Sequence, residues 1–171
     1  ETEYVIRAEN VDYTYEGSKI KALDHLSLNI RKGKKVAVMG GNGCGKSTFF
    51  LCLNGIRRPE SGRIFIDGKP IEYTKKGLLD VRRKIGIVFQ NPDEQLFSAS
   101  VYEEISFGIL NMGADEETAE KAVRQIIEEL GLSAFQEEPT HALSGGQKKQ
   151  VAIADILVMH PEVMILDEPA A

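Results

Sequence analysis

Residues 40–47 constrain the fold more than any other part of the sequence, because they read Gly-Gly-Asn-Gly-Cys-Gly-Lys-Ser. A glycine, four residues and then Gly-Lys-Ser is the spacing of a phosphate-binding loop, whose backbone N–H groups wrap a polyphosphate. The continuous apolar run at 36–39 predicts a strand buried on both faces before the loop. A helix is predicted from Lys46 to about Asn54, with its positive end toward the phosphates.

The side chains of this loop predict a nucleotide site. Lys46 would reach the β- and γ-phosphates, the Ser47 hydroxyl would ligate Mg²⁺, and Thr48 could add a phosphate contact. The alternative is a glycine-rich turn with an exposed lysine, and the strand before the loop and the helix after it count against that alternative. The predicted nucleotide-binding residues of this segment are Gly40, Asn42, Gly43, Cys44, Gly45, Lys46, Ser47 and Thr48.

A second apolar run, at residues 163–166, closes on Asp167 and Glu168. A carboxylate at the end of a parallel strand can hold a water of Mg²⁺, which assigns Asp167 to the metal. Glu168 could orient or deprotonate the attacking water. Taken alone, this pattern could also be a core strand that meets a polar loop.

The remaining patterns predict an α/β core interrupted by a helical insertion. Apolar residues alternate before a turn at 31–34, a hairpin is centred on Asp67-Gly68, and residues 85–89 form another buried strand. Helices are predicted from Asp115 to Gly131 and from Ser144 to Met159. We therefore assign residues 1–90 and 161–171 to a nucleotide-binding core and 91–160 to a helical subdomain.

Charge and composition exclude several classes of protein. The net charge of −5 divides into +7 over residues 1–90 and −12 over residues 91–171, which argues against a nucleic-acid surface on the second half. The basic half could attract a phosphate, or the charges could simply be solvated. No apolar run reaches the roughly 18 residues of a membrane span, and the first residues do not read as a signal peptide. Two cysteines fit a reducing cytoplasm.

Residues 143–147 read Leu-Ser-Gly-Gly-Gln, a string that resembles the signature of ATP-binding-cassette (ABC) ATPases. The resemblance extends from about residue 4 to 171, with the motifs in the family order. It implies a P-loop NTPase fold: a RecA-like core with an N-terminal antiparallel β subdomain, plus a helical signature subdomain. It also implies ATP and Mg²⁺ as cofactors and a head-to-tail dimer. The signature residues, which would act on the nucleotide held by the other copy, are Ser144, Gly145, Gly146 and Gln147.

Further roles come from the same resemblance. Gln90 matches the family glutamine that contacts Mg²⁺ and the attacking water, and Tyr15 matches the aromatic that stacks on adenine. Tyr13 is the second choice, and a core strand position is the alternative for either ring. The implied catalytic residues are Glu168, Lys46 and Gln90, and the implied Mg²⁺ ligands are Ser47, Gln90 and Asp167.

Residues 91–101, Phe107-Gly108 and 139–141 narrow the resemblance to cobalt/nickel and energy-coupling-factor (ECF) vitamin importers. In that group the ATPase lies on the cytoplasmic face of the membrane and docks on a transmembrane coupling protein beside Gln90. A substrate-binding membrane subunit completes the importer. Four apolar residues are candidates for this docking groove, or equally for the core of the insertion: Leu96, Phe97, Val101 and Phe107.

The sequence departs from the family pattern at three positions and in its extent. Gln150 and Asp155 replace a basic residue and a small or basic residue, respectively, and Ala170 replaces a threonine. Asp155 lies in an otherwise apolar helix, so we expect a partner for it, because a buried unpaired carboxylate is costly. The family also continues with an aspartate loop, another core strand and a histidine. We therefore expect a cassette cut just after its acidic strand, with an apolar edge open at residues 36–39.

The sequence predicts an importer ATPase in which ATP binding closes a dimer and hydrolysis reopens it. One alternative is a module that binds nucleotide without hydrolysing it. Another is a DNA-maintenance ATPase of the same superfamily, which the acidic insertion and the lack of sustained heptads disfavour. The transported substrate, a metal ion or a vitamin, is not encoded in these residues.

Overall fold

The computed structural model describes residues 3–167, so Glu168 and Ala170 lie outside the described residues. The chain forms two compact units that divide between Arg82 and Arg83. The domain boundaries predicted from the sequence stay a prediction. Within residues 3–167, no helix is both long enough and apolar enough to cross a bilayer.

The first unit is built on an antiparallel sheet in the order β2-β1-β3-β4. Its strands are β1 (Tyr4–Thr14), β2 (Lys21–Arg31), β3 (Ser61–Ile66) and β4 (Lys69–Pro70). The long first strand lies in the centre and buries Ile6, Ala8 and Val11. The predicted hairpin is confirmed, because β3 pairs antiparallel with β4 and Asp67 and Gly68 both adopt positive φ at its turn. The expected N-terminal antiparallel β subdomain is thus present.

Two α-helices lie within the described residues 32–84. Helix α1 (Lys46–Leu53) begins immediately after the glycine-rich loop, as predicted, and Gly55 follows its end with a φ of 74°. It buries Phe49, Cys52 and Leu53. Helix α2 (Lys75–Lys84) is strongly amphipathic and buries Val81.

The predicted buried strand at residues 36–39 is wrong. Residues 34–40 pair with no other strand in the described part of the chain, and Val36 and Met39 are 55% and 88% exposed. An apolar run becomes a two-sided buried strand only when strands flank it on both edges and layers cover both faces. The apolar run at residues 36–39 predicts such a strand, but neighbours that are distant in the sequence decide whether the strand forms.

In its described residues, the second unit combines a two-stranded parallel sheet with three α-helices. Strands β5 (Ile85–Val88) and β6 (Val163–Leu166) pair in register, and all of β5 is buried, as predicted. The helices are α3 (Val101–Asn111), α4 (Glu116–Glu129) and α5 (Gly145–Leu157). Each helix begins at a side-chain N-cap, formed by Ser100, Asp115 and Ser144 respectively. Fully buried apolar residues from all three helices form one core, including Val101, Ile105, Val123 and Val151.

Candidate nucleotide-binding site

The glycine-rich loop has the backbone that a phosphate cradle requires. Gly43 and Gly45 adopt positive φ, at 78° and 96°. A Cβ on Gly45 would also lie 2.3 Å from the Ala22 carbonyl oxygen, so no larger residue fits there. Residues 41–44 are exposed, and the loop leads directly into the first turn of α1. The positive end of the helix is therefore available to an anion, while the Cys44 N–H donates to the Gly41 carbonyl at 3.3 Å.

Lys46 lies over the loop. Its Nζ donates to the carbonyl oxygens of Gly40 and Gly41, at 2.8 and 3.1 Å, and lies 3.8 Å from Cys44 Sγ. These acceptors are neutral, whereas phosphate oxygens are charged and form stronger hydrogen bonds with an ammonium group. The lysine is thus held at the loop by contacts that a phosphate can replace.

Tyr15 is joined to the helix that follows the loop. Its hydroxyl is 3.0 Å from the Thr48 hydroxyl, and the residue is 39% exposed. Tyr13 packs edge-on against Tyr15, with ring centroids 5.1 Å apart, and Arg57 lies 5.6 Å from the Tyr15 centroid. Thr48 is buried, so its side chain supports the ring. Arg57, which the sequence reasoning missed, follows α1 and carries no motif that would identify it.

A buried carboxylate fixes β1 next to these rings. Asp12 accepts hydrogen bonds from the His25 backbone N–H at 2.7 Å, the Ser61 hydroxyl at 2.7 Å and Lys21 Nζ at 3.1 Å. These donors, led by the His25 amide, hold the pKa of Asp12 well below its usual range. Since His25 lies on β2 and Ser61 on β3, the carboxylate joins three strands one residue before Tyr13.

In the second unit, Gln90 and Asp167 follow the ends of neighbouring parallel strands. Val88 pairs with Leu166, and the Asp167 N–H donates to the Val88 carbonyl at 3.0 Å. Asp167 is 8% exposed, whereas Gln90 is exposed. An amide oxygen and a carboxylate are hard oxygen donors of the type that Mg²⁺ prefers. Both groups therefore suit the Mg²⁺ that the sequence predicts for them.

The signature begins α5 with a capping box. The Gln147 N–H donates to Ser144 Oγ at 3.3 Å, and the Ser144 N–H donates to Gln147 Oε1 at 2.9 Å. Gly145 and Gly146 are exposed, and neither has a positive φ. Apart from their own helix and chain neighbours, a Cβ at either glycine would meet no described atom within 4 Å. The chain's own packing therefore does not require glycine at these two positions.

The connecting segment (residues 91–100) links β5 to α3 and is held by contacts that the sequence reasoning missed. Asp93 pairs with Lys148 Nζ at 2.6 Å. The carboxylate of Glu104, which is 2% exposed, accepts from the backbone N–H groups of Phe97 and Ser98 at 2.8 and 2.6 Å. One feature of the sequence could have revealed the buried carboxylate: Glu104 shares a helix face with the apolar residues Val101 and Ile105.

The structure divides the four candidate groove residues into two pairs. Leu96 and Val101 belong to the core of the helical part, whereas Phe97 and Phe107 are 70% and 50% exposed. The two phenylalanine rings pack edge to face, with centroids 5.6 Å apart. They border an open groove of about 460 Å³, which is lined by Phe97, Ser98, Ala99, Tyr102, Glu103, Ser106, Phe107 and Leu110.

Comparison with known protein families shows which family this chain belongs to. The family model described as ABC transporter matches residues 23–171, which is most of the chain. The chain belongs to the ABC transporter family. The resemblance inferred from the signature and the phosphate-binding loop is therefore confirmed.

Curated ABC relatives have names that refer to an energy-coupling factor transporter and to cobalt import. The chain is 50% identical to the energy-coupling factor transporter ATP-binding protein EcfA3 of Clostridium perfringens, over 99% of this chain and 59% of the relative. It is 47% identical to the cobalt import ATP-binding protein CbiO of Rhodobacter capsulatus, over 98% of this chain and 59% of the relative. The chain thus spans about three fifths of the length of the curated relatives it matches.

Solved structures show that the ABC cassette fold is shared. CbiO1 from Clostridium perfringens, part of the ABC transporter complex CbiONQ, is 49% identical, with a TM-score of 0.85 over 99% of this chain and 67% of that chain. The cassette MJ0796, solved as a dimer in a post-hydrolysis state bound to ADP and Pi, is 29% identical, with a TM-score of 0.86 over 96% of this chain and 74% of that chain. The predicted α/β cassette with a helical signature part is confirmed.

Proposed function

We propose that this chain supplies the ATP-binding and ATP-hydrolysing machinery of an ECF or cobalt-type importer, powering uptake of a metal ion or a vitamin. The observation that carries the proposal is the loop of residues 40–47. Its left-handed glycines, exposed backbone and helix-terminal lysine together form a cradle for a polyphosphate. The name of the EcfA3 relative supports the energy-coupling-factor type, and the name of the CbiO relative supports import.

In this proposal the first unit binds the nucleotide. Lys46 exchanges its bonds to the Gly40 and Gly41 carbonyls for bonds to the β- and γ-phosphates. Tyr15 stacks on adenine while its hydroxyl stays anchored at Thr48, which fixes the plane of the ring. Arg57 lies near the same ring and adds positive charge beside the base.

Ser47, Gln90 and Asp167 would hold Mg²⁺, which neutralises charge on the phosphates when it is bound. Burial of Asp167 at a strand end supports this role, because a fixed carboxylate needs little reorganisation to bind a cation. Glu168 would orient the attacking water and accept its proton. The water oxygen then bonds to the γ-phosphorus as the bond to ADP breaks.

The two signature glycines support a dimer that acts in trans. Since nothing in the described chain occupies the space beside Gly145 and Gly146, the absence of a Cβ gives a partner's phosphate access to the first amides of α5. The capping box holds Ser144 at the same helix start. A second ATPase subunit, identical or related, would bring its nucleotide to this surface.

The aromatic groove supports docking on a transmembrane coupling protein. Two exposed phenylalanines beside an open apolar groove are unusual on a surface that water alone covers. Docking there would hold the ATPase at the cytoplasmic face of the membrane as a peripheral subunit, next to a membrane subunit that binds the transported substrate.

Nucleotide binding tests the loop. Lys46→Ala should weaken ATP binding by about tenfold or more, since it removes charge-assisted hydrogen bonds. Lys35→Ala is the matched control, because Lys35 is exposed and precedes the loop, and it should bind ATP like the wild type. Equal affinities for the two variants, measured by calorimetry, would refute the assigned role of the loop lysine.

Steady-state ATP hydrolysis tests the enzyme. Glu168→Gln should bind ATP normally and hydrolyse it at least about a hundredfold more slowly, as expected for loss of a general base. Equal, near-zero rates for wild type and variant, with intact binding, would instead indicate a module that binds nucleotide without hydrolysing it.

Co-purification with membrane proteins tests the docking surface. Phe97→Ser should reduce the recovery of a membrane partner with the ATPase. Ile20→Ser is the control, since Ile20 is 80% exposed and lies in the first unit, away from the groove residues in sequence. Equal loss with both variants would argue against docking at this groove.

A further inference from the structure

Asp155 has a polar partner that the sequence did not reveal. It lies on α5 among apolar residues and is half-buried. Gln95 Nε2 donates to its Oδ2 at 3.3 Å. Its Oδ1 lies against Gly108 of α3, where a Cβ would come within 2.7 Å of that oxygen. The carboxyl group of this α5 residue therefore lies against both α3 and the connecting segment.

The Gln95 amide is only half satisfied by an ionised carboxylate. Its Nε2 donates both to Asp155 and to the Ala152 carbonyl, at 3.3 and 3.2 Å. Its Oε1 is buried and accepts no hydrogen bond among the described residues. A carboxylate can only accept, whereas a carboxylic acid also donates and can pair with both sides of a primary amide. A proton on Asp155 would add the donor that Gln95 Oε1 lacks, whereas the bond from Nε2 suits a carboxylate as well as an acid.

The charged surroundings favour the same form. From α3 comes Glu104, which is almost completely buried. Of the other charged groups on the neighbouring elements, Asp93 and Glu94 of the connecting segment are exposed, and Lys148 of α5 is paired with Asp93. Burial raises the pKa of Asp155 to about 7; the hydrogen bond from Gln95 opposes this shift, and repulsion by Glu104 adds to it.

We propose that Asp155 and Gln95 form a proton-dependent latch that fastens the connecting segment to α5 when Asp155 is protonated and loosens it when Asp155 ionises. The latch joins two features of the proposed function, because α5 begins at the signature and Phe97 of the groove lies two residues after Gln95. The latch itself rests on contacts within the second unit and does not depend on that function. A negative result in the latch experiments would therefore leave the ATPase proposal intact, and loss of the ATPase proposal would leave the latch intact.

Hydrogen exchange of the connecting segment in the purified protein tests the latch directly. In the wild type, amides 93–98 should lose protection between pH 6 and pH 8.5, after correction for intrinsic exchange rates. Asp155→Asn keeps a donor and an acceptor at every pH, so protection should persist at both values. Gln95→Met removes the amide at similar size, so protection should be low at both values.

Global stability gives a second readout with a calculable size. Because the folded state holds the proton and the unfolded state does not, stability falls as pH rises through about 7. For one such group, linkage predicts that the folding equilibrium constant falls about tenfold from pH 6 to pH 8.5 relative to Asp155→Asn. Glu94→Gln is the matched control, since Glu94 is exposed on the same segment and the variant should keep the wild-type pH response.

Two results would overturn the latch. One is a wild type whose segment protection does not change between pH 6 and 8.5. The other is an Asp155→Asn variant that keeps the wild-type pH response. If that variant does not fold, Gln95→Met still decides, because a pH-dependent change in segment protection that survives without the amide contradicts the pairing.

Discussion

The buried carboxylate of Glu104 offers the sharpest test of how the connecting segment is held. Its Oε2 accepts from two consecutive backbone N–H groups, those of Phe97 and Ser98, at 2.8 and 2.6 Å. The side chain is 2% exposed, so water does not substitute readily for either partner. We consider two changes: Glu104→Gln, which keeps the shape but removes the charge, and Glu104→Ala, which removes the acceptor.

The magnitudes follow from these two bonds. A hydrogen bond to a charged group contributes about 1.5–3 kcal/mol, and a neutral one about 0.5–1.5 kcal/mol. Making both bonds neutral in Glu104→Gln should therefore lower the free energy of unfolding by about 2 kcal/mol. Glu104→Ala leaves two donors without an acceptor and opens a cavity, so the loss should be about 4 kcal/mol.

Urea denaturation at pH 6, followed by circular dichroism, measures both losses. The control is Glu103→Gln, the same chemical change at the next position of α3, where the side chain is exposed and the effect should stay within about 0.5 kcal/mol. If Glu104→Gln and Glu103→Gln unfold at the same urea concentration, the reasoning is refuted. Glu104→Gln should also move the pH response of the latch to lower pH, since it removes a charge that raises the pKa of Asp155.

Three further predictions follow from single sites. Alkylating Cys44 should block ATP binding, and bound ATP should protect this thiol from alkylation. Cys52 should stay unmodified, because burial raises its pKa to about 11. Mass spectrometry identifies the modified residue, and normal nucleotide binding by protein alkylated at Cys44 would contradict the prediction. Gly86→Ala should destabilise the protein by about 1–3 kcal/mol in urea denaturation, because the added Cβ would lie 2.1 Å from Ile156 Cγ2. An unchanged urea midpoint of unfolding would show that Ile156 moves aside at little cost. The pKa of Asp12 is lowered on folding, so its carboxylate stabilises the protein above about pH 4, and this contribution is lost in acid. The difference in unfolding free energy between wild type and Asp12→Asn should therefore narrow from pH 5 to pH 2. A constant difference would count against a stabilising role for the Asp12 carboxylate.

Much of the local structure followed from the sequence because its causes are local. Asp115 and Ser144 cap their helices through bonds to amides three residues on, which a short motif encodes. The hairpin at Asp67-Gly68 depends on two residues that tolerate positive φ. The left-handed glycines of the loop at residues 40–47 belong to the same class, which is why the conformation of this loop and its helix were predictable.

Other features depended on neighbours that are distant in the sequence. Residues 36–39 have the composition of a buried strand, but in the described structure they form no ladder and Met39 is 88% exposed. Leu96 and Phe97 are adjacent apolar residues, yet one lies in the core and the other borders a groove. Hydrophobicity states what burial would gain and leaves open which surface provides it.

The sequence by itself determined the family, the order of its motifs and the residue types that suit ATP and Mg²⁺, because these are encoded in short strings with fixed spacing. Only the tertiary structure decided which side chains meet across the chain. It joined Asp155 to Gln95, 60 positions apart, and it placed the amides of Phe97 and Ser98 on the Glu104 carboxylate. Such contacts depend on how helices and loops pack, and packing is a property of the whole unit.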